Sequence, residues 1–135
     1  MIAVDTNILL RTFVADHPVQ ARVAQHLMGH ADGVFISKTV LLEVEWVLRS
    51  LYRQSPAQIH FGISSLLGLP NVVGESPEQV FQAMGDFAAG MDFADALHLA
   101  ASPADEGFYS FDSKLTKKAS LLGRNAHLAK TGVSI

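Results

Sequence analysis

Apolar residues in this chain follow two periods. Short, mainly apolar runs at positions 2–4, 34–36 and 108–111 have the length of buried strands, and Asn71 to Val73 reads as a weaker one. Between them lie longer stretches where apolar residues return every three or four positions, the period of an amphipathic helix. Ile8, Leu9, Leu10, Phe13 and Val14 mark a first helix, which Thr6 can cap. Asp16 and Pro18 start a second, since proline is tolerated in a first turn. A long amphipathic helix is expected over residues 38–54. Ser55-Pro56-Ala57-Gln58 and Ser76-Pro77-Glu78-Gln79 both read as capping boxes with proline at the first helical position. The helices they open carry Ile59, Ile63, Leu66 and Leu67, then Val80, Phe81, Met84 and Phe87. Asp92 opens another helix that Pro103 should end. A basic helix follows Asp112, and a final short strand is expected in the last residues.

Strands alternating with helices predict an α/β fold with a parallel sheet covered by helices on both faces. No repeat, low-complexity tract or linker interrupts residues 1–135, so one domain is expected. With 49% hydrophobic residues the chain can build a core. It has no cysteine, which excludes disulfides and thiolate zinc sites. No apolar run reaches the ~18 residues of a membrane span. The N-terminal residues lack the basic segment of a signal peptide. A soluble, cytoplasmic protein is expected.

Candidate chemistry enters with four acids, Asp5, Glu43, Asp95 and Asp112. Asp5 and Asp112 each follow an apolar strand and precede a helix. Acids at the carboxyl ends of parallel strands face the crevice where α/β sheets bind ligands. Gathered there, each pair would repel by roughly 3 kcal/mol at ~5 Å and an effective dielectric of ~20. Such a group requires a hard cation, and Mg²⁺ or Mn²⁺ suits all-oxygen ligands.

Each acid also has an ordinary structural use. Asp5 and Asp112 are well placed to be helix caps. At 100° per residue, Val40, Val44, Val47 and Leu51 form one face of the third helix, with Glu43 at its edge. Glu45 falls on the far side with Arg49 and Arg53, and reads as a surface i,i+4 pair with Arg49. Glu43 is therefore the site candidate. Asp95 is too far into its helix to cap, whereas Asp92 is the expected cap and a supporting group. Ser110 can hold a water or a carboxylate, or simply bond locally. His26 and His30 sit on the polar side of their helix, and the six histidines show no metal spacing. Trp46 reads as packing.

Charge is uneven along the chain. Eight Asp or Glu and no Lys or Arg lie between Arg53 and Lys114. After Asp112 there are only bases: Lys114, Lys117, Lys118, Arg124 and Lys130. The acidic middle fits a metal site. The basic tail fits either a polyanion surface or a solvated helix face.

The segments IAVDTNILLR, TVLLEVEWVLRSLY, DFADALHLA and YSFDSKL, in this order and spacing, resemble the PIN-domain ribonucleases, VapC-type toxins in particular. The resemblance covers nearly the whole chain. It implies a three-layer α/β/α sandwich with a central, mainly parallel sheet. It also implies a Mg²⁺- or Mn²⁺-dependent endoribonuclease, a homodimer and a partner antitoxin. The family's four acids fall on Asp5, Glu43, Asp95 and Asp112, and Asn7 matches a polar position beside them. Ser110 stands where the family's last motif has threonine, which keeps the hydroxyl. Pro103 shortens a helix that usually continues. RNA is the implied substrate, with Arg11, Lys114, Lys117 and Lys118 as candidate phosphate contacts. The alternatives are a haloacid-dehalogenase-like phosphatase, a receiver domain, or a PIN-fold binding module without catalysis. The phosphatase wants an Asp where Asn7 stands, and a receiver domain gives no reason for Glu43.

Overall fold

The computed structural model describes residues 1–132. The elements run in the order β1 (Ile2–Ala3), α1 (Thr6–Phe13), α2 (Pro18–His30), β2 (Val34–Ile36), α3 (Lys38–Ser50), α4 (Pro56–Leu67), β3 (Val72–Gly74), α5 (Pro77–Ala88), α6 (Phe93–Ala100), β4 (Phe108–Ser110), α7 (Ser113–Leu121) and β5 (Ala126–Leu128). A final short strand is present at β5; the expectation for the last residues also falls on positions 133–135, which lie outside the described residues. The chain forms two compact units, Met1–Val80 and the residues from Phe81 onward. No helix among the described residues is long and apolar enough to cross a membrane.

In the first unit the strands pair in parallel in the order β1-β2-β3. Ile2 lies opposite Val34, and Val34 opposite Val72. Helices link successive strands, as parallel pairing requires. Val34 and Ile36 are buried with Leu9, Leu41, Leu48, Ile59 and Ile63. The Asn71 side-chain amide donates to the carbonyls of Met28 (2.8 Å) and Ala31 (3.0 Å). It thereby satisfies two carbonyls at the end of α2, which have no partner within the helix. Ser55 and Gln58 form the expected reciprocal capping box. The second expected box is different. Ser76 takes a left-handed φ of 44°, and the Gln79 side chain accepts from the Lys38 ammonium instead of turning back to its cap.

Helix α3 departs from its expected phase. Its buried stripe is Leu41, Val44, Glu45 and Leu48. Leu51 and Trp46 are largely exposed, so Trp46 is not a packing residue. Both stripes have helical spacing, but the one chosen buries two leucines, which remove more apolar surface from water than Val40 and Val47. Glu45 goes in with them and is only 2% exposed. Arg49, one turn on, meets it at 2.8 Å. The expected i,i+4 pair is present, but its carboxylate is buried. The helix also stops at Ser50 instead of continuing to Gln54, because Arg53 adopts a left-handed φ of 54°.

In the second unit β4 and β5 pair in parallel, Tyr109 opposite His127. Phe93 packs edge-on against Phe87, with ring centroids 5.2 Å apart. Leu97, Leu115, Ala119 and Ala126 are buried as well. Asp86, also buried, holds Arg124 through two bonds of 2.9 and 2.8 Å. The α/β class and parallel pairing expected from the alternation are both present.

Candidate active site

In the first unit, β1 ends at Ala3, and Asp5 follows in extended conformation as the N-cap of α1. Its Oδ1 accepts from the Ile8 amide at 3.3 Å. The cap is therefore Asp5, not Thr6. Thr6 is the first helical residue and is buried. Its hydroxyl donates to Glu43 Oε1 at 2.9 Å. Glu43 is exposed on α3, and this bond ties it to the residue after Asp5. Asn7 is exposed on the same first turn.

Beyond β2 and β3, polar groups hold the start of α3. Ser37 caps α3 by accepting from Val40, and Glu75 accepts from the Lys38 amide at 2.9 Å.

In the second unit, Asp92 caps α6 as expected, its Oδ2 accepting from the Asp95 amide at 3.1 Å. Asp112 follows β4 and caps α7, its Oδ1 accepting from Leu115 at 3.1 Å. The Ser110 hydroxyl accepts from the Asp112 amide at 2.9 Å, so its bond is local. Asp95 is half-buried. Burial raises its pKa above the ordinary carboxylate value, and the charges of Asp92 and Asp112 raise it further, while His98 lowers it. Asp92 and Asp112 therefore both act on the charge of Asp95.

The donor chemistry fits a hard cation. These groups are all carboxylates, and each cap uses one carboxylate oxygen: Oδ1 of Asp5, Oδ2 of Asp92 and Oδ1 of Asp112. Within neither unit do three His, Asp or Glu side chains among the described residues gather at metal-binding distance.

The basic candidates divide. Arg11 is committed: its guanidinium bonds Gln20 at 2.8 Å and Asp16 at 3.2 Å. Lys114 and Lys117 are exposed and Lys118 half-exposed on α7. His26 and His30 are surface residues whose rings stack 4.0 Å apart.

Sequence reasoning read Thr6 only as a cap and missed His98. A hydroxyl buried on the first turn needs a partner, and that rule marks Thr6 once its burial is known. His98 follows Asp95 by three residues, a spacing that brings helical side chains together.

None of the curated proteins matches the chain at a significant level. The PIN domain family model matches residues 2–121, a span that contains Asp5, Glu43, Asp95 and Asp112. The chain therefore belongs to the PIN domain family, whose members are generally metal-dependent nucleases.

Proposed function

We propose that this chain is a Mg²⁺- or Mn²⁺-dependent endoribonuclease of the cytoplasm, the toxin of a VapBC-type pair, acting as a homodimer and held inactive by a cognate antitoxin. Asp5, Glu43, Asp95 and Asp112 are its proposed catalytic and metal-holding carboxylates, with Asn7, Ser110 and Asp92 in support. The single observation that carries the nuclease reading is the setting of Asp95. Burial and the charges of two further aspartates both add a cost to its ionised form in the metal-free chain. A divalent cation offsets that cost. The toxin, dimer and antitoxin assignments rest on the resemblance of the four motifs.

When bound, the cation polarises the scissile phosphate and lowers the pKa of a water. The protein's own contribution is to fix the acids. The cap bonds hold Asp5, Asp92 and Asp112 on helix N-termini, and Thr6 holds Glu43. A carboxylate not engaged with metal orients the attacking water and takes its proton. Single-stranded or looped RNA suits this chemistry, because its backbone can reach a crevice.

The test is cleavage of a mixed-sequence RNA by the purified protein. Internal cuts that need Mg²⁺ or Mn²⁺ and stop in EDTA are expected. Undiminished cleavage in excess chelator would overturn the metal-dependent mechanism. RNA bound but uncut in either metal would make the chain a binding module of the same fold. Growth arrest on expression, relieved by the product of a small adjacent reading frame, is expected of the toxin.

A further inference from the structure

We infer that the second unit carries a stacking subsite for a base of single-stranded RNA, made by Tyr109 and His127 and flanked by Lys117 and Lys130. The inference rests on the nuclease reading and deepens it by assigning a place where substrate is held away from the acids' chemistry. Tyr109 and His127 are direct partners across β4 and β5, so their side chains leave the same face. Their ring centroids lie 5.1 Å apart with a tilt of 34°.

The His127 ring is exposed yet anchored. Its Nε2 meets Asn125 Oδ1 at 2.7 Å. The Asn125 amide nitrogen donates to the Ala104 carbonyl at 2.8 Å, which makes Oδ1 the acceptor. Nε2 therefore carries a proton, and in the neutral ring Nδ1 is the acceptor. Gly107 lies against the ring at φ 93°; a Cβ there would fall 2.7 Å from His127 Cδ2. A surface ring fixed by a bonded amide and a glycine has already lost the freedom that binding would otherwise remove.

Beside these rings lies an open groove of about 890 Å³, lined also by Leu121, Leu128, Lys117 and Lys130. Leu121 is 83% exposed. Flat rings, an apolar floor and flanking ammonium groups match single-stranded nucleic acid, whose bases stack while its phosphates pair. Charge favours the same occupant. The chain after Asp112 has five bases and no acid, and among the described residues Arg124 alone of these bases is bonded to a carboxylate, that of Asp86. Lys117 and Lys130 are exposed.

The test is fluorescence anisotropy with a fluorescein-labelled, short single-stranded RNA of mixed sequence. EDTA is present, so binding is read without cleavage. His127→Ala and Tyr109→Ala should each weaken binding roughly tenfold, and His127→Phe should restore most of it. Lys117→Gln with Lys130→Gln should lower the slope of log affinity against log salt by about one to two. This second pair changes exposed side chains only, so it tests the groove even if an alanine variant fails to fold. If the wild type binds and cuts RNA but all these variants bind equally well, the subsite is overturned and the nuclease reading stands. If the wild type neither binds nor cuts RNA, both are overturned. If the substitutions leave affinity intact but dissociate a dimer in light scattering, the face joins two copies of this chain and the subsite is overturned.

Discussion

Thr6 holds Glu43. The hydroxyl of the first residue of α1 donates to Oε1 of a carboxylate on the second turn of α3, at 2.9 Å and across 37 positions of sequence. Removing either end of this bond should have a distinct result. Glu43→Gln keeps an acceptor oxygen for Thr6 and removes the charge, so the melting temperature should change little while RNA cleavage is lost. Thr6→Val keeps shape and removes the donor. It should cost about 1 kcal/mol of stability and reduce cleavage less than Glu43→Gln does. Cleavage rates and denaturant melts of the two variants check this. Full activity in Glu43→Gln would remove Glu43 from the site.

Glu45 is the contrasting acid on the same helix. It is buried, and Arg49 pairs with it from a half-exposed position. Glu45→Gln should destabilise the chain by roughly 1–3 kcal/mol, because a buried charged bond is weakened and a polar group stays behind. Activity per folded molecule should persist. Chemical denaturation followed by activity measured well below the transition separates the two effects.

These two glutamates show where sequence was informative. Strand and helix spacing, the Ser55–Gln58 box and the acid after β1 were legible because each depends on residues within one or two turns. The phase of α3 was not. Two apolar stripes share its surface, and only packing against the rest of the first unit selects the stripe with Leu41 and Leu48. A glutamate with an arginine one turn later reads as a surface pair, and burial of one member leaves no local mark. The Thr6–Glu43 bond was invisible for another reason: it is non-local, and a threonine beside an aspartate first suggests a cap. The structure instead gives the cap to Asp5.

The Asp86–Arg124 pair should be the most sensitive ionic contact of the second unit. Asp86 is buried and takes two bonds from the Arg124 guanidinium. Arg124→Ala leaves an uncompensated buried carboxylate, a change that costs about 3–5 kcal/mol where both charges are buried. Arg124 is partly exposed, so the lower part of that range is expected. The double variant Asp86→Leu with Arg124→Met should recover much of the loss. Melting temperatures at neutral pH test both. A single Arg124→Ala variant as stable as the wild type would show that water takes over the pairing.

Asp95 supplies a pH dependence. Burial first, then Asp92 and Asp112, raises its pKa in the folded chain above the ordinary value of 3.8. The folded state therefore holds this proton more tightly than the unfolded state. Its contribution to stability is full below the unfolded pKa and is lost as pH rises through the folded pKa. At neutral pH, without metal, the ionised group weakens the fold. Asp95→Asn should then melt higher than the wild type near neutrality, and the advantage should shrink as pH falls toward ~4. Melts across that range, in chelator, are the measurement. An advantage that stays constant with pH would assign the effect to packing rather than charge.

Asp5 has two assignments that one substitution can separate. It caps α1 through Oδ1 and is proposed to hold metal. Asparagine caps a helix about as well as aspartate, so Asp5→Asn preserves the first role and removes the charge needed for the second. In chelator the variant should melt close to the wild type. Cleavage should be lost. Mg²⁺ at roughly a hundred times its dissociation constant should stabilise the wild type by about 2.7 kcal/mol, because it binds the folded state alone. For a chain of this size that is on the order of 10 °C in melting temperature. The variant should gain much less at the same Mg²⁺ concentration. Asp5→Ala serves as the cap control, since it removes both roles and should lose a further ~1 kcal/mol in chelator. Equal Mg²⁺ shifts in the wild type and Asp5→Asn would leave Asp5 a helix cap and nothing more.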